Sequence, residues 1–209
     1  MKKFLATLMI LTAVLGMVAC TSNKSQKDTT RITGVTDGNV YENLFIGLGF
    51  NLPSGWEFAS DEEIRELNNI SSDMMDDKYA EQIKKADIVY DMLATQLSTG
   101  SSVSINLEKV SALGAIATDA QYVESAVASV KTVLESMGAT NISAEQTKVK
   151  IAGENLYALD VSCKVNGVAI YEKVICKKVD NYFVCITVAT AGTDTTANVI
   201  SQFFPVVVR

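Results

Sequence analysis

The chain has 209 residues, 18 basic and 24 acidic side chains, a net charge of −6 and no histidine. That length suits one domain with a core that stands without staples, and 48% apolar residues rule out a disordered chain. The acidic balance argues against nucleic acid as a partner, and the lack of histidine removes Ser-His-Asp and Cys-His nucleophile pairs and His-ligated zinc.

Lys2 and Lys3 precede an uncharged, mostly apolar run from Phe4 to Ala19. That is the layout of a secretory leader, and the run is too short to span a bilayer. It ends in Met17-Val18-Ala19-Cys20, which resembles the lipobox of bacterial lipoproteins. The resemblance implies cleavage before Cys20 and a diacylglycerol on its thiol, which would anchor the chain outside the cytoplasmic membrane. Residues 1–19 are thus read as the leader. Residues 20–38, rich in Thr, Ser, Lys, Asp and Gly, are read as the lipidated cysteine and a flexible tether. Residues 39–209 are read as one globular domain.

Within that domain, Val40–Asn43 and Phe45–Leu52 are strand candidates, and Pro53-Ser54-Gly55 is a turn. Ser60 with Glu63 forms a capping box that opens a helix to about Asn68. Ser72-Asp73 starts a second helix whose inward stripe is Met75, Tyr79, Ile83 and Ala86. Ile88–Ala94 reads as a strand, Ser98–Ser101 as a turn, and Val103, Ile105 and Leu107 alternate with polar residues as a half-buried strand. Thr118 with Gln121 opens the clearest helix, with Val123, Ala126, Val127, Val130, Val133, Leu134 and Met137 on one stripe and Gly138 as its stop. Four strands follow, over Glu145–Ile151, Glu154–Val165, Val168–Lys178 and Tyr182–Thr190. Asn166-Gly167 and, more weakly, Asp180-Asn181 act as hairpin turns. Gly192-Thr193-Asp194 opens a last helix to about Phe204, ended by Pro205. Consecutive strands joined by tight turns require antiparallel pairing. The expected fold is α+β, an antiparallel sheet with helices on both faces.

Tyr41-x-Asn43 and then Gly47-x-x-Phe50-x-Leu52-Pro53-x-Gly55-Trp56 resemble the opening of the PsbP-like superfamily. The order of elements from about Val40 to Phe204 is similar to that group's α-β-α sandwich. The resemblance implies a domain that binds or assembles other components. It carries over no catalytic residue, and fold alone licenses no function.

Several constellations compete with plain structural roles. Trp56 is either a ligand platform or an aromatic that closes the sheet with Phe50 and Phe58; the second is favoured. Glu57 to Asp91 holds eleven acids against four bases. Glu62, Glu66, Asp73 and Asp77 are the candidate face for a protein partner, against the plain reading of two solvated helices. A calcium site around Asp73, Asp76 and Asp77 lacks the spacing of a known loop. If Asp180-Asn181 is a two-residue loop, Val179 faces Tyr182, and Cys176 lies opposite Cys185 in a non-hydrogen-bonded pair, a candidate disulfide. A three-residue loop would put the two thiols on opposite faces. Cys163 reads as a buried free thiol. No catalytic residue, metal or cofactor is marked. The expectation is a lipid-anchored, non-catalytic binding or assembly module that touches the membrane through Cys20 and has a protein partner. The alternatives are a small-ligand or metal binder and, third, a histidine-free carboxylate hydrolase.

Overall fold

The computed structural model describes residues 31–71, 74, 76–110 and 117–206. The leader, Cys20 and most of the tether lie outside them. The strands are β1 (Val35–Asp37), β2 (Val40–Asn43), β3 (Leu48–Asn51), β4 (Glu57–Phe58), β5 (Ile88–Gln96), β6 (Ser101–Lys109), β7 (Thr140–Ile151), β8 (Glu154–Val165), β9 (Val168–Val179), β10 (Tyr182–Ala191) and β11 (Phe203–Pro205). The helices are α1 (Asp61–Leu67), α2 (Asp76–Lys85), α3 (Asp119–Ser136) and α4 (Thr196–Ile200). They form an α+β fold with two antiparallel sheets, ordered β1-β2-β3-β11 and β4-β5-β6-β10-β9-β8-β7.

β10 sits at the centre of the larger sheet, and its run Tyr-Phe-Val-Cys-Ile-Thr-Val-Ala-Thr is buried on both faces. β7, at the edge, is mostly exposed and carries Glu145, Lys148 and Lys150, a charged edge that resists pairing with another chain. Both expected capping boxes form: Ser60 with Glu63, and Thr118 with Gln121. The Asn166-Gly167 turn takes positive φ at both residues (52° and 82°), as a type I′ hairpin demands. Two-residue loops at 166–167 and 180–181 set the registers of β8, β9 and β10.

The larger sheet has a core on each face. On one, Val123, Ala126, Val130 and Leu134 of α3 pack on Leu159, Val161, Val174 and Phe183. On the other, Tyr41, Leu48, Phe50 and Phe203 of the smaller sheet meet Val89, Ile105, Leu107 and Ile186, with Ile83 of α2 and Val199 and Ile200 of α4 in the same core. A second sheet, which the sequence did not suggest, supplies much of the cover on that second face.

Boundaries differ too: the strand expected over Phe45–Leu52 is only Leu48–Asn51, and the last helix begins at Thr196. The stretch read as tether already contains β1, because Gly34 and Val35–Asp37 fasten onto β5 and β2. The last helix stops at Ile200, and Phe203–Pro205 pairs with β3. Phe203 and Phe204, expected at the end of that helix, instead alternate faces along a strand. β7 starts at Thr140, since an exposed edge strand shows no apolar alternation. Of the α2 stripe, Ile83 is buried and Tyr79 half-buried; Met75 lies outside the described residues.

Candidate binding cleft

β5 loses register with β6 between Tyr90 and Met92, so Asp91 is the extra residue of a bulge. The bulge aims Asp91 at the smaller sheet. Tyr41 Oη donates to its carboxylate, Asn43 Nδ2 donates at 2.6 Å and the Gly34 amide at 2.8 Å. Asn43 also donates to Ile32 O at 2.9 Å, and its Oδ1 accepts from the amides of Phe45 and Ile46. One asparagine thereby closes its own turn and ties β2 to both neighbours. This is what Tyr41-x-Asn43 does: it knots the two sheets at Asp91. Burial pushes the Asp91 carboxyl above its ordinary range against the pull of its three donors, and burial with the Asp91 charge pushes the Tyr41 hydroxyl well up.

Beside this knot opens a cleft of about 540 Å³, walled by residues 31–36, β5, α1 and α2. Its apolar lining comes from Phe58, Ile64, Met92 and the Tyr79 ring. Arg31, Arg65 and Lys84 line it as cations, Asp61 and Asp91 as acids. Arg65 lies over the Tyr79 ring, with its guanidinium carbon 4.3 Å from the centroid, and donates from Nη1 to Met74 O at 2.8 Å. Arg31 donates from Nε to Thr33 Oγ1 and from Nη2 to Gly34 O. Burial and the charge of Asp91 raise the Tyr79 hydroxyl against the opposing pull of Arg65 and Arg31. The cleft therefore offers forked cations above an aromatic and aliphatic floor.

The other candidates are placed as follows. Glu62 and Glu66 are exposed on α1, while Ile64 and Arg65 of the same helix line the cleft. Asp77 lies in the first turn of α2, and Asp73 is outside the described residues. Trp56 is buried in the core with Phe50, whose ring meets Phe58 edge-on at 6.3 Å. Cys176 faces Cys185, with the sulfurs 3.5 Å apart and both thiols free and buried. Above them, Tyr122 Oη donates to Glu108 and sits 3.7 Å from Cys185 Sγ. Cys163 is buried and faces Ile170. Among the described residues no group of three or more acids or cysteines is placed to hold a metal ion.

A second polar row went unread in the sequence. Asn106 Oδ1, Thr187 Oγ1 and Glu172 Oε1 are buried with no hydrogen-bond partner among the described residues. Asn106 faces Cys185, two residues from Thr187; Thr187 faces Val174, two residues from Glu172. The three thus run diagonally across β6, β10 and β9 on the α3 face. Burial pushes the Glu172 carboxyl up to about 8.

Asp91 and Arg31 were missed as site residues for different reasons. Asp91 sat in a charge run read as solvated, though an acid inside the apolar stretch Ile88–Ala94 was the available signal. Arg31 fell in the assumed tether. The chain has fifteen lysines and only three arginines, and both arginines among the described residues line this cleft.

No protein-family model matches the chain, and no curated protein matches it. Among solved structures it is similar to LpqN, a protein involved in cell envelope biogenesis of Mycobacterium tuberculosis (TM-score 0.41, 11% identity, 75% of this chain and 82% of that one). It is also similar to a protein of Bacteroides thetaiotaomicron (TM-score 0.39, 13% identity, 81% of this chain), of whose length it spans about half (49%). Both likenesses are loose ones of overall shape. Among the described residues no helix is long and apolar enough to cross a membrane.

Proposed function

We propose that the protein is a non-catalytic binding module, held outside a bacterial cytoplasmic membrane by lipid on Cys20, and that the cleft beside Asp91 is its binding site. The observation that carries this is the cleft itself: a concave site with an apolar floor and a few convergent polar groups, walled by regular elements. The leader, the cysteine that ends it and the PsbP-like opening motif support the same reading. A histidine-free chain lacks the usual means of activating a nucleophile, which favours binding over turnover.

The test is native mass spectrometry and calorimetry on the mature protein, against a metabolite panel. Ala80 lies exposed on the cleft wall, so Ala80→Trp fills the space. A ligand that binds the native protein and is lost with Ala80→Trp supports the assignment. A panel without binders, or binding indifferent to Ala80→Trp, overturns it.

The exposed Glu62 and Glu66 favour a second reading, in which the acidic outer side of α1 meets a basic protein partner. Neutralising Glu62, Glu66, Asp73 and Asp77 together should then abolish crosslinking to that partner in intact cells. Unchanged crosslinking removes this face from consideration.

A further inference from the structure

We infer that the cleft takes an amphiphilic anion, with a carboxylate or phosphate head against Arg31 and Arg65 and an apolar body along Tyr79, Ile64 and Met92. The inference rests on the binding reading above and names the class of ligand.

Its first support is residue choice. Lysine outnumbers arginine fifteen to three in this chain, yet both arginines among the described residues fall on one cavity, from positions 34 residues apart in sequence. Arginine differs from lysine in its planar fork, which matches the two oxygens of a carboxylate or phosphate. Lysine would serve equally well for general solubility.

The second support is how the two guanidiniums are held. Arg65 is stacked on Tyr79 and anchored to the Met74 carbonyl, so little side-chain freedom is left to lose on binding. Arg31 is fixed through Nε and Nη2 to its own turn, and among the described residues its Nη1 has no hydrogen-bond partner. Lys84 adds a third positive charge to the lining.

Both acids in the lining are engaged by groups of their own. Asp91 accepts from Tyr41, Asn43 and Gly34, so its oxygens are already occupied within the protein. Asp61 lies exposed in the first turn of α1, where the helix dipole holds a negative charge. The apolar side of the lining gives a purely polar anion no reason to prefer this site over water, and so points to a ligand with an apolar body.

The inference predicts selectivity by charge sign. Octanoate and octyl phosphate, titrated by calorimetry into the mature protein, should bind saturably, and octylammonium should not. Arg31→Gln and Arg65→Gln should each weaken the anion by roughly tenfold or more, as expected for losing a hydrogen bond to a charged group. Arg65→Lys keeps the charge and loses the fork; it should weaken binding too, and thermal melts of all three variants show that they fold. The two anions separate a carboxylate head from a phosphate head. Anion binding that the arginine variants leave unchanged overturns the inference. If octylammonium binds and Ala80→Trp blocks it, the anion assignment fails while the cleft stands as the binding site. If no probe binds and the metabolite panel is also silent, both fall.

Discussion

Glu172 is the most exposed weakness of this fold, although it is only 3% accessible. It sits on β9 between Val161 of β8 and Ala189 of β10, on the face packed by α3. The α3 residues buried on that face are Val123, Ala126, Val130 and Leu134, all apolar. Of the titratable groups near it, Cys163 feels its charge, which adds to burial in raising that thiol. Among the described residues no cation offsets it: Lys173, its chain neighbour, pairs with Asp160 at 2.5 Å. Burial therefore lifts the carboxyl from 4.5 to about 8.

The sign follows from linkage. Below the unfolded value of 4.5 both states hold the proton and the group is neutral to stability. Between 4.5 and about 8 the unfolded chain releases the proton while the folded one keeps it, so stability falls as pH rises. At about 1.4 kcal/mol per pH unit the loss across the window is roughly 3–6 kcal/mol, a large share of a typical domain's stability. Glu172→Gln mimics the protonated acid and cannot ionise. Urea denaturation between about pH 5 and pH 9 should show native protein and variant nearly equal at the acid end, and the variant more stable at the alkaline end by that amount. Asp91 and Glu108 are also raised by burial and tilt the native curve the same way, but they are common to both proteins and cancel in the difference. Parallel curves for the two proteins would refute the reasoning.

Two further outcomes are expected. A methyl group on Gly49 would lie 2.3 Å from Phe204 Cζ, because the ring covers the glycine across the β3–β11 pair. Gly49→Ala should cost roughly 1–3 kcal/mol in a thermal melt, and Phe204→Ala in the same chain should recover part of it; additive losses would disprove the contact. Cys176 and Cys185, opposite each other with sulfurs 3.5 Å apart, should form a disulfide by exchange with oxidised glutathione in mild denaturant, stabilising the fold by about 2–3 kcal/mol. Peptide mapping that finds Cys163 in the bond instead would show the wrong register.

What could be read from the chain was what depends on neighbours in sequence. Capping boxes, the Asn166-Gly167 turn and the α3 stripe are local chemistry, and the structure forms all three. The facing of Cys176 and Cys185 followed from counting outward from a two-residue loop, because antiparallel register is arithmetic once the loop length is set. What escaped depends on distant partners. β1 is three exposed residues with no apolar pattern, and only its pairing with β2 and the Gly34 amide on Asp91 make it part of the fold. β11 looked like the end of a helix because Phe203-Phe204 carries no period of its own. The cleft joins residues 31–36 to α1, α2 and β5, a juxtaposition that no spacing rule reveals. The acid-rich segment did hold one clue: its arginine and its half-buried aspartate are exceptions to a solvated face, and both line the cleft.

Asp91 is where fold and cleft depend on the same atoms. Tyr41, Asn43 and Gly34 all donate to it, so it is the polar joint through which the smaller sheet is fixed to β5. Asp91→Asn keeps the shape but replaces one accepting oxygen with a donor, leaving at least one of the three donors facing another N–H. Losing one hydrogen bond to a charged group costs about 1.5–3 kcal/mol, and the orphaned donor adds a desolvation penalty. The damage should be local. β1 and β2 hang on this joint, whereas β8–β10 are held by their own ladders and by α3. Amide hydrogen exchange in Asp91→Asn should therefore accelerate first in residues 34–43, with β8–β10 still protected, and ligand binding in the cleft should weaken in step with that loosening. Uniform acceleration across both sheets would mean that the joint is part of the global core; unchanged exchange at 34–43 would mean that apolar packing of Tyr41 and Phe50 alone seats the smaller sheet.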